Sequence, residues 1–258
     1  MQNFLRHQIR NGRLHFRRTI LVRTHSSLVS MDIKINAVQL ARFSLLSPVD
    51  QRVFAARHLR EMRRQRANRA KRRLLGHKGD GGPRSQITPV VEALLRHMAD
   101  PQQPLRDILR TVKAGSQRRT LHWLLKSELL LAENFVRPVP RLTWHAHSIT
   151  VGCSPDFVIC KNALKLGVKV YPARQAVAGN VIGPIVCDLM REAILESLMK
   201  PTVAANLFDG ELTPRFADAT GRAMYNAHPD IDFARHRVSW ACERLQQLCQ
   251  AIESQHVA

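Results

Sequence analysis

The sequence predicts a mainly helical fold with a small β component, and three observations carry that prediction. Apolar residues recur at spacings of three and four over long stretches, most cleanly at Val238, Ala241, Leu245, Leu248 and Ile252. Strand-like runs are few and short, falling at about residues 134–136, 143–153 and 168–171. Apolar residues make up 45% of the 258, which allows one large or two small domains with real cores.

Charge divides the chain unevenly. The formal net charge is +20, and residues 1–137 hold 28 Lys/Arg against 9 Asp/Glu. The remaining residues hold 12 against 11, so the halves carry +19 and +1 and the first half is expected to bind a polyanion. Arginine far outnumbers lysine there, which favours bidentate phosphate and guanine contacts over point charges. Five cysteines without a secretory signal predict a reducing compartment and no disulfide framework. No run of 18 apolar residues occurs, so no membrane span is expected.

Residues 1–30 contain no Asp or Glu and carry Arg6, Arg10, Arg13, Arg17, Arg18 and Arg23, with Ser26, Ser27 and Ser30 after them. This segment reads as a flexible basic arm, as a mitochondrial transit peptide, or as sequence upstream of a true start at Met31. The expected compartment is the cytoplasm, or the mitochondrion if the transit reading holds. A basic helical segment spans 31–75. Ile33, Ala37, Leu40 and Ala41 would share one face of a short helix. Ser47-Pro48-Val49-Asp50 opens a long one that runs to Leu75. From Arg63 to Arg73 its cations point in every direction, so that part cannot pack on a core. It is a solvated helix, or an arm that orders on a nucleic-acid backbone. Phosphate neutralisation is assigned to Arg57, Arg60, Arg63, Arg64, Arg66, Arg69, Lys71, Arg72 and Arg73. Residues 76–86 form a glycine-rich linker whose spacing does not match a phosphate-binding loop.

In residues 87–152, Thr88-Pro89 starts a helix carrying Val90, Val91, Leu94, Leu95 and Met98. Asp100-Pro101 breaks it, and Leu105, Ile108, Leu109 and Val112 mark a second, short helix. After the turn at Ala114-Gly115-Ser116, a third helix spans Ser116–Glu128. Its Leu121, Leu124 and Leu125 share one stripe, and Arg119, His122 and Lys126 the opposite one. A strand at Asn134–Val136, a stiff tip at Arg137–Arg141 and a strand at Thr143–Cys153 follow. This order of elements resembles the winged helix-turn-helix family. The resemblance implies base-edge contacts from Arg119, His122 and Lys126, a backbone contact from Arg118, and Arg137 and Arg141 at a wing tip.

Residues 153–258 read as a helical C-terminal domain. Ser154-Pro155-Asp156 looks like a helix start with its stop at Gly167, and Val168–Tyr171 is a short strand. Gly179–Pro184 is a turn before an amphipathic helix to Met199. A last helix, at about 233–254, closes the domain core or forms a homodimer seam, with Cys242 and Cys249 as small buried hydrophobes.

Enzymatic signals are sparse. On one strand His145, His147 and Cys153 would share a face, with Asp156 and Cys160 as further donors. Zinc sites usually show cysteines two to four apart, however, and histidines on the exposed side of a wing strand explain the pattern as well. Asp188, Glu192 and Glu196 fall at i, i+4, i+8 and are expected on the solvated side of their helix. No metal and no cofactor is expected. The sequence thus predicts a sequence-preferring DNA-binding protein, a transcription regulator or replication initiator, with duplex DNA as partner. An RNA-associated basic protein, possibly organellar, and a metal-dependent nucleic-acid enzyme are the alternatives. Few Phe and Tyr lie near the basic run to stack on bases, although Trp123 and Trp144 remain.

Overall fold

A strand, not a helix, opens the described part of the chain. The computed structural model describes residues 32–75, 87–100, 102–127, 135–137, 141–161, 164–172, 179–199 and 212–255. The basic arm at 1–30 and the linker at 76–86 lie outside the described residues. Strand β1 (Ile33–Asn36) buries Ile33 and Ile35 and exposes the residues between and after them. Two isoleucines in alternation suit a pleat covered on one side. Asn36 then makes a capping box with Gln39 at the start of α1 (Ala37–Ser44). The helix expected from Ile33 is therefore a strand and a helix meeting at a cap.

Ser47 caps α2 (Pro48–Leu74), its hydroxyl 2.7 Å from the Asp50 carboxylate and accepting the Asp50 N–H. Three helices follow: α3 (Thr88–Ala99), α4 (Leu105–Arg110) and α5 (Gly115–Lys126). Then come β2 (Phe135–Arg137), β3 (Thr143–Ala146), β4 (Ile149–Gly152), β5 (Phe157–Lys161) and β6 (Leu164–Tyr171). The chain continues through α6 (Gly179–Met199), β7 (Leu212–Asp218), β8 (Ala223–Asn226) and α7 (Ile231–Gln255). The described residues are mainly helical, with two small sheets.

The first sheet has the order β1-β4-β3, and the second β2-β5-β6-β7-β8. In the second sheet only β6 and β7 run parallel, which is why the long helix α6 connects them. The other neighbours are antiparallel. Helices α3, α4 and α5 cover one face of this sheet. Val90, Leu94, Ile108, Leu121 and Leu124 pack there with Phe157, Ile159, Val168, Val170 and Ala217 in one buried cluster. Helix α6 lies on the other face and approaches closely at Gly183, where a Cβ would stand 2.9 Å from both Phe216 and Tyr225. Helix α7 buries Val238, Ala241, Cys242, Leu245 and Cys249 against α1, α2 and α6. Of its apolar seam, Val238, Ala241 and Leu245 are thus buried within the chain, and Leu248 and Ile252 are half-buried.

Further expectations are corrected. Residues 154–167 are not a helix: Ser154-Pro155-Asp156 leads into the β5–β6 hairpin, where Asp156 accepts the Val170 N–H at 2.7 Å. The 143–153 segment is not one strand, because the chain reverses at His147 (φ 55) and Ser148 to pair β3 with β4. Gly179–Pro184 is not a turn but the first residues of α6. The two arms of the expected wing do not pair with each other, since β2 joins β5 and β3 joins β4. The segment expected to be a helical domain supplies four strands, and its core continues past residue 152 into α3–α5.

Candidate nucleic-acid interface

Helix α5 owes its orientation to its own periodicity. Leu121 and Leu124 are fully buried in the cluster under the sheet, and Leu125 and Trp123 pack at its margin. That fixes the opposite side outward, and Arg118, Arg119, His122 and Lys126 are all exposed. Thr120 is buried, its hydroxyl returned to the Ser116 carbonyl at 3.0 Å.

The exposed side of α5 divides in two. Arg118 and His122, one turn apart, line an open cleft of about 510 Å³ whose other wall is Arg106, Leu109 and Arg110 of α4. Arg118 donates from Nη2 to the Lys113 carbonyl at 2.8 Å, which holds its side chain at the cleft. Arg110 lies 3.4 Å from Asp107, an exposed pair worth little in itself. Arg119 and Lys126 lie outside this lining. Sequence reasoning missed Arg106 and Arg110. Their i, i+4 spacing on the side of α4 away from Ile108 was the signal that could have found them.

Helix α2 carries the second cationic group. It is anchored as far as Arg66: Ala55 and Leu59 are buried, Arg63 pairs with Glu253 of α7 at 2.6 Å, and Arg66 donates to the Asp32 carbonyl at 2.9 Å. His58 stands 3.0 Å from the Lys34 carbonyl and stacks on Phe54, and burial lowers its pKa. Arg57, Arg60, Arg64, Arg69, Lys71 and Arg72 are exposed, as are the two ends of the Arg63–Arg66 stretch. Arg73 falls on the same helix. Helix α2 docks on α1 and α7, whereas α5 docks on α3 and α4, so the two cationic groups rest on different layers.

Arg141 is exposed just before β3, and Arg137 lies on β2, in the other sheet. The hairpin turn between β3 and β4 also separates the suspected metal donors. The main-chain N–H of His145 donates to Glu196 at 2.9 Å, and its Nδ1 lies 2.8 Å from the same carboxylate. His147 is at the turn, and Cys153 is buried with its thiol pKa raised by that burial. Among the described residues, no group of three His, Cys, Asp or Glu could hold a metal ion.

The acidic row of α6 is not solvated. Asp188 is fully buried and Glu192 nearly so. Asp188 meets Arg237 at 2.5 Å and Arg191 at 3.4 Å, and accepts the His228 N–H at 2.8 Å. Glu192 meets Arg235 at 3.0 Å. These acids are consumed in tying α6 to α7, which leaves the cations of α2 and α5 without competing carboxylates from that row. Asp156 and Lys169, 2.9 Å apart, similarly tie β5 to β6. No helix among the described residues is long and apolar enough to cross a membrane. Comparison with protein-family models, with curated proteins and with solved structures finds no match.

Proposed function

We propose that the protein binds duplex DNA through its cationic helices and prefers some sequences, as a transcription regulator or a replication initiator does. The observation that carries this reading is α5, a helix with Leu121 and Leu124 fully buried and Arg119, His122 and Lys126 exposed opposite them. A helix held from behind by a core and cationic in front has the form needed to enter a major groove. Helices α3, α4 and α5 supply the helix-turn-helix part of the reading. A wing is not part of it, because its strands belong to two sheets. Helix α2 supplies sequence-independent phosphate contacts. The work takes place in the cytoplasm, or in the mitochondrion if residues 1–30 act as a transit peptide.

Enrichment from random duplexes, followed by two substitutions, tests the proposal. Arg119→Ala weakens binding to the enriched site roughly tenfold or more and relaxes preference at one position. Arg69→Ala weakens all sequences alike and makes the salt dependence shallower by about one contact. An enrichment that yields no preferred sequence, or equal loss on every duplex for Arg119→Ala, reduces α5 to a phosphate clamp. Tighter binding to RNA of matched length would transfer the role to RNA.

A further inference from the structure

We infer that the cleft between α4 and α5 binds a phosphomonoester, either the terminal phosphate of a nucleic-acid strand or that of a free nucleotide, in preference to an internal phosphodiester. The inference rests on the nucleic-acid reading above and adds a second, end-recognising role for part of the same surface.

Three guanidinium groups, from Arg106, Arg110 and Arg118, line this one cleft together with the imidazole of His122 and the side chain of Leu109. Among the described residues, no carboxylate lines it. The nearest acid tied to the group is Asp107, on Arg110, so three positive charges less one negative leave a net of +2. A phosphomonoester carries about −1.5 to −2 at neutral pH. An internal diester brings a single charge and leaves the cleft half neutralised. Each guanidinium has five N–H donors in a planar fork. Arg118 commits one donation to the Lys113 carbonyl, which positions it and leaves further donors. The volume, about 510 Å³, lies within the range of small-ligand sites. Leu109 offers an apolar wall to a ribose. A smooth duplex backbone needs no such concavity.

Fluorescence anisotropy with the full chain tests the inference, using short duplexes of one sequence that carry a 5′-phosphate, a 3′-phosphate or hydroxyls at both ends. One of the phosphorylated duplexes binds about fivefold tighter than the hydroxyl-ended one. Arg106→Gln and Arg110→Gln each abolish that difference, whatever general loss of duplex affinity accompanies the removed charge. A nucleoside 5′-monophosphate, titrated alone beside its unphosphorylated nucleoside, separates the sources. Selective binding of the monophosphate assigns the cleft to free nucleotide, and its absence alongside an end preference assigns it to strand ends. Equal affinity for all three duplexes, with no monophosphate binding, overturns the inference. In that case steep salt dependence on the hydroxyl-ended duplex still upholds the DNA-binding reading, whereas no duplex binding at low salt removes that reading as well.

Discussion

Replacing Asp188 by alanine removes the centre of the charge network that joins α6 to α7. The carboxylate is fully buried and has three donors: Arg237 at 2.5 Å, Arg191 at 3.4 Å and the His228 N–H at 2.8 Å. Alanine leaves two guanidiniums and a main-chain N–H facing one another with no anion between them. Deleting one partner of a buried pair costs about 3–5 kcal/mol. Arg191 and Arg237 keep side-chain exposures of 17% and 27%, so water softens the loss and the lower end of that range applies. A cost of about 3 kcal/mol, with a urea slope near 3 kcal/mol per molar for a chain of this size, moves the unfolding midpoint down by about 1 M. Far-UV circular dichroism against urea measures it. Asp188→Asn, which retains an acceptor for the His228 N–H, falls between wild type and alanine. A midpoint for Asp188→Ala within about 0.2 M of wild type would show that the network adds little and that the helix pair is held by its apolar contacts alone.

Two further outcomes follow from local geometry. His58 is held neutral by burial, with its pKa below the ordinary 6.5, so the unfolded chain binds the proton more readily. Its contribution is complete above 6.5 and is lost as pH falls from there toward the lowered folded value, so wild type loses more stability than His58→Gln between about pH 7.5 and pH 5. Equal losses in urea midpoint for the two proteins contradict this. Gly183→Ala pushes a methyl to within 2.9 Å of Phe216 and Tyr225. The overpacking cost of roughly 1–3 kcal/mol outweighs the helix-propensity gain of about 1 kcal/mol, so the urea midpoint falls. Gly115→Ala, where nothing lies within 4 Å of the added carbon, does not lower it. A raised midpoint for Gly183→Ala refutes the close approach of α6 to the sheet.

Local periodicity was the legible part of the sequence. Ser47-Pro48-Val49-Asp50 opens α2 as its capping chemistry predicts, and the leucine stripe of α5 is the stripe that the core buries. The β5–β6 hairpin was legible only at Val168–Tyr171, the second half of β6. Phe157, Val158 and Ile159 are buried in succession, and a short continuous apolar run does not separate strand from helix. The Ser-Pro-Asp signature there serves a different end, with Asp156 accepting from Val170 across the hairpin instead of capping a helix. The acidic row of α6 failed for another reason. Its partners Arg235 and Arg237 lie more than forty residues downstream, beyond any local pattern. The same limit applies to β2, whose antiparallel partner is β5 rather than the next strand in the chain. In the candidate interface, the outward face of α5 was readable from its stripe. The wall formed by Arg106 and Arg110 depends on how α4 docks, which is tertiary information.

The most direct test of the cationic interface is a salt titration of duplex binding by wild type and by a variant with Arg60, Arg64, Arg69 and Lys71 all changed to glutamine. These four side chains are exposed on α2, so circular dichroism and thermal unfolding stay as in wild type. Each phosphate contact contributes about −0.9 to the slope of log affinity against log salt, so the wild-type slope is steep and the variant's is shallower by about three to four. A flat wild-type titration, or an unchanged slope in the folded variant, contradicts nucleic-acid binding through this helix.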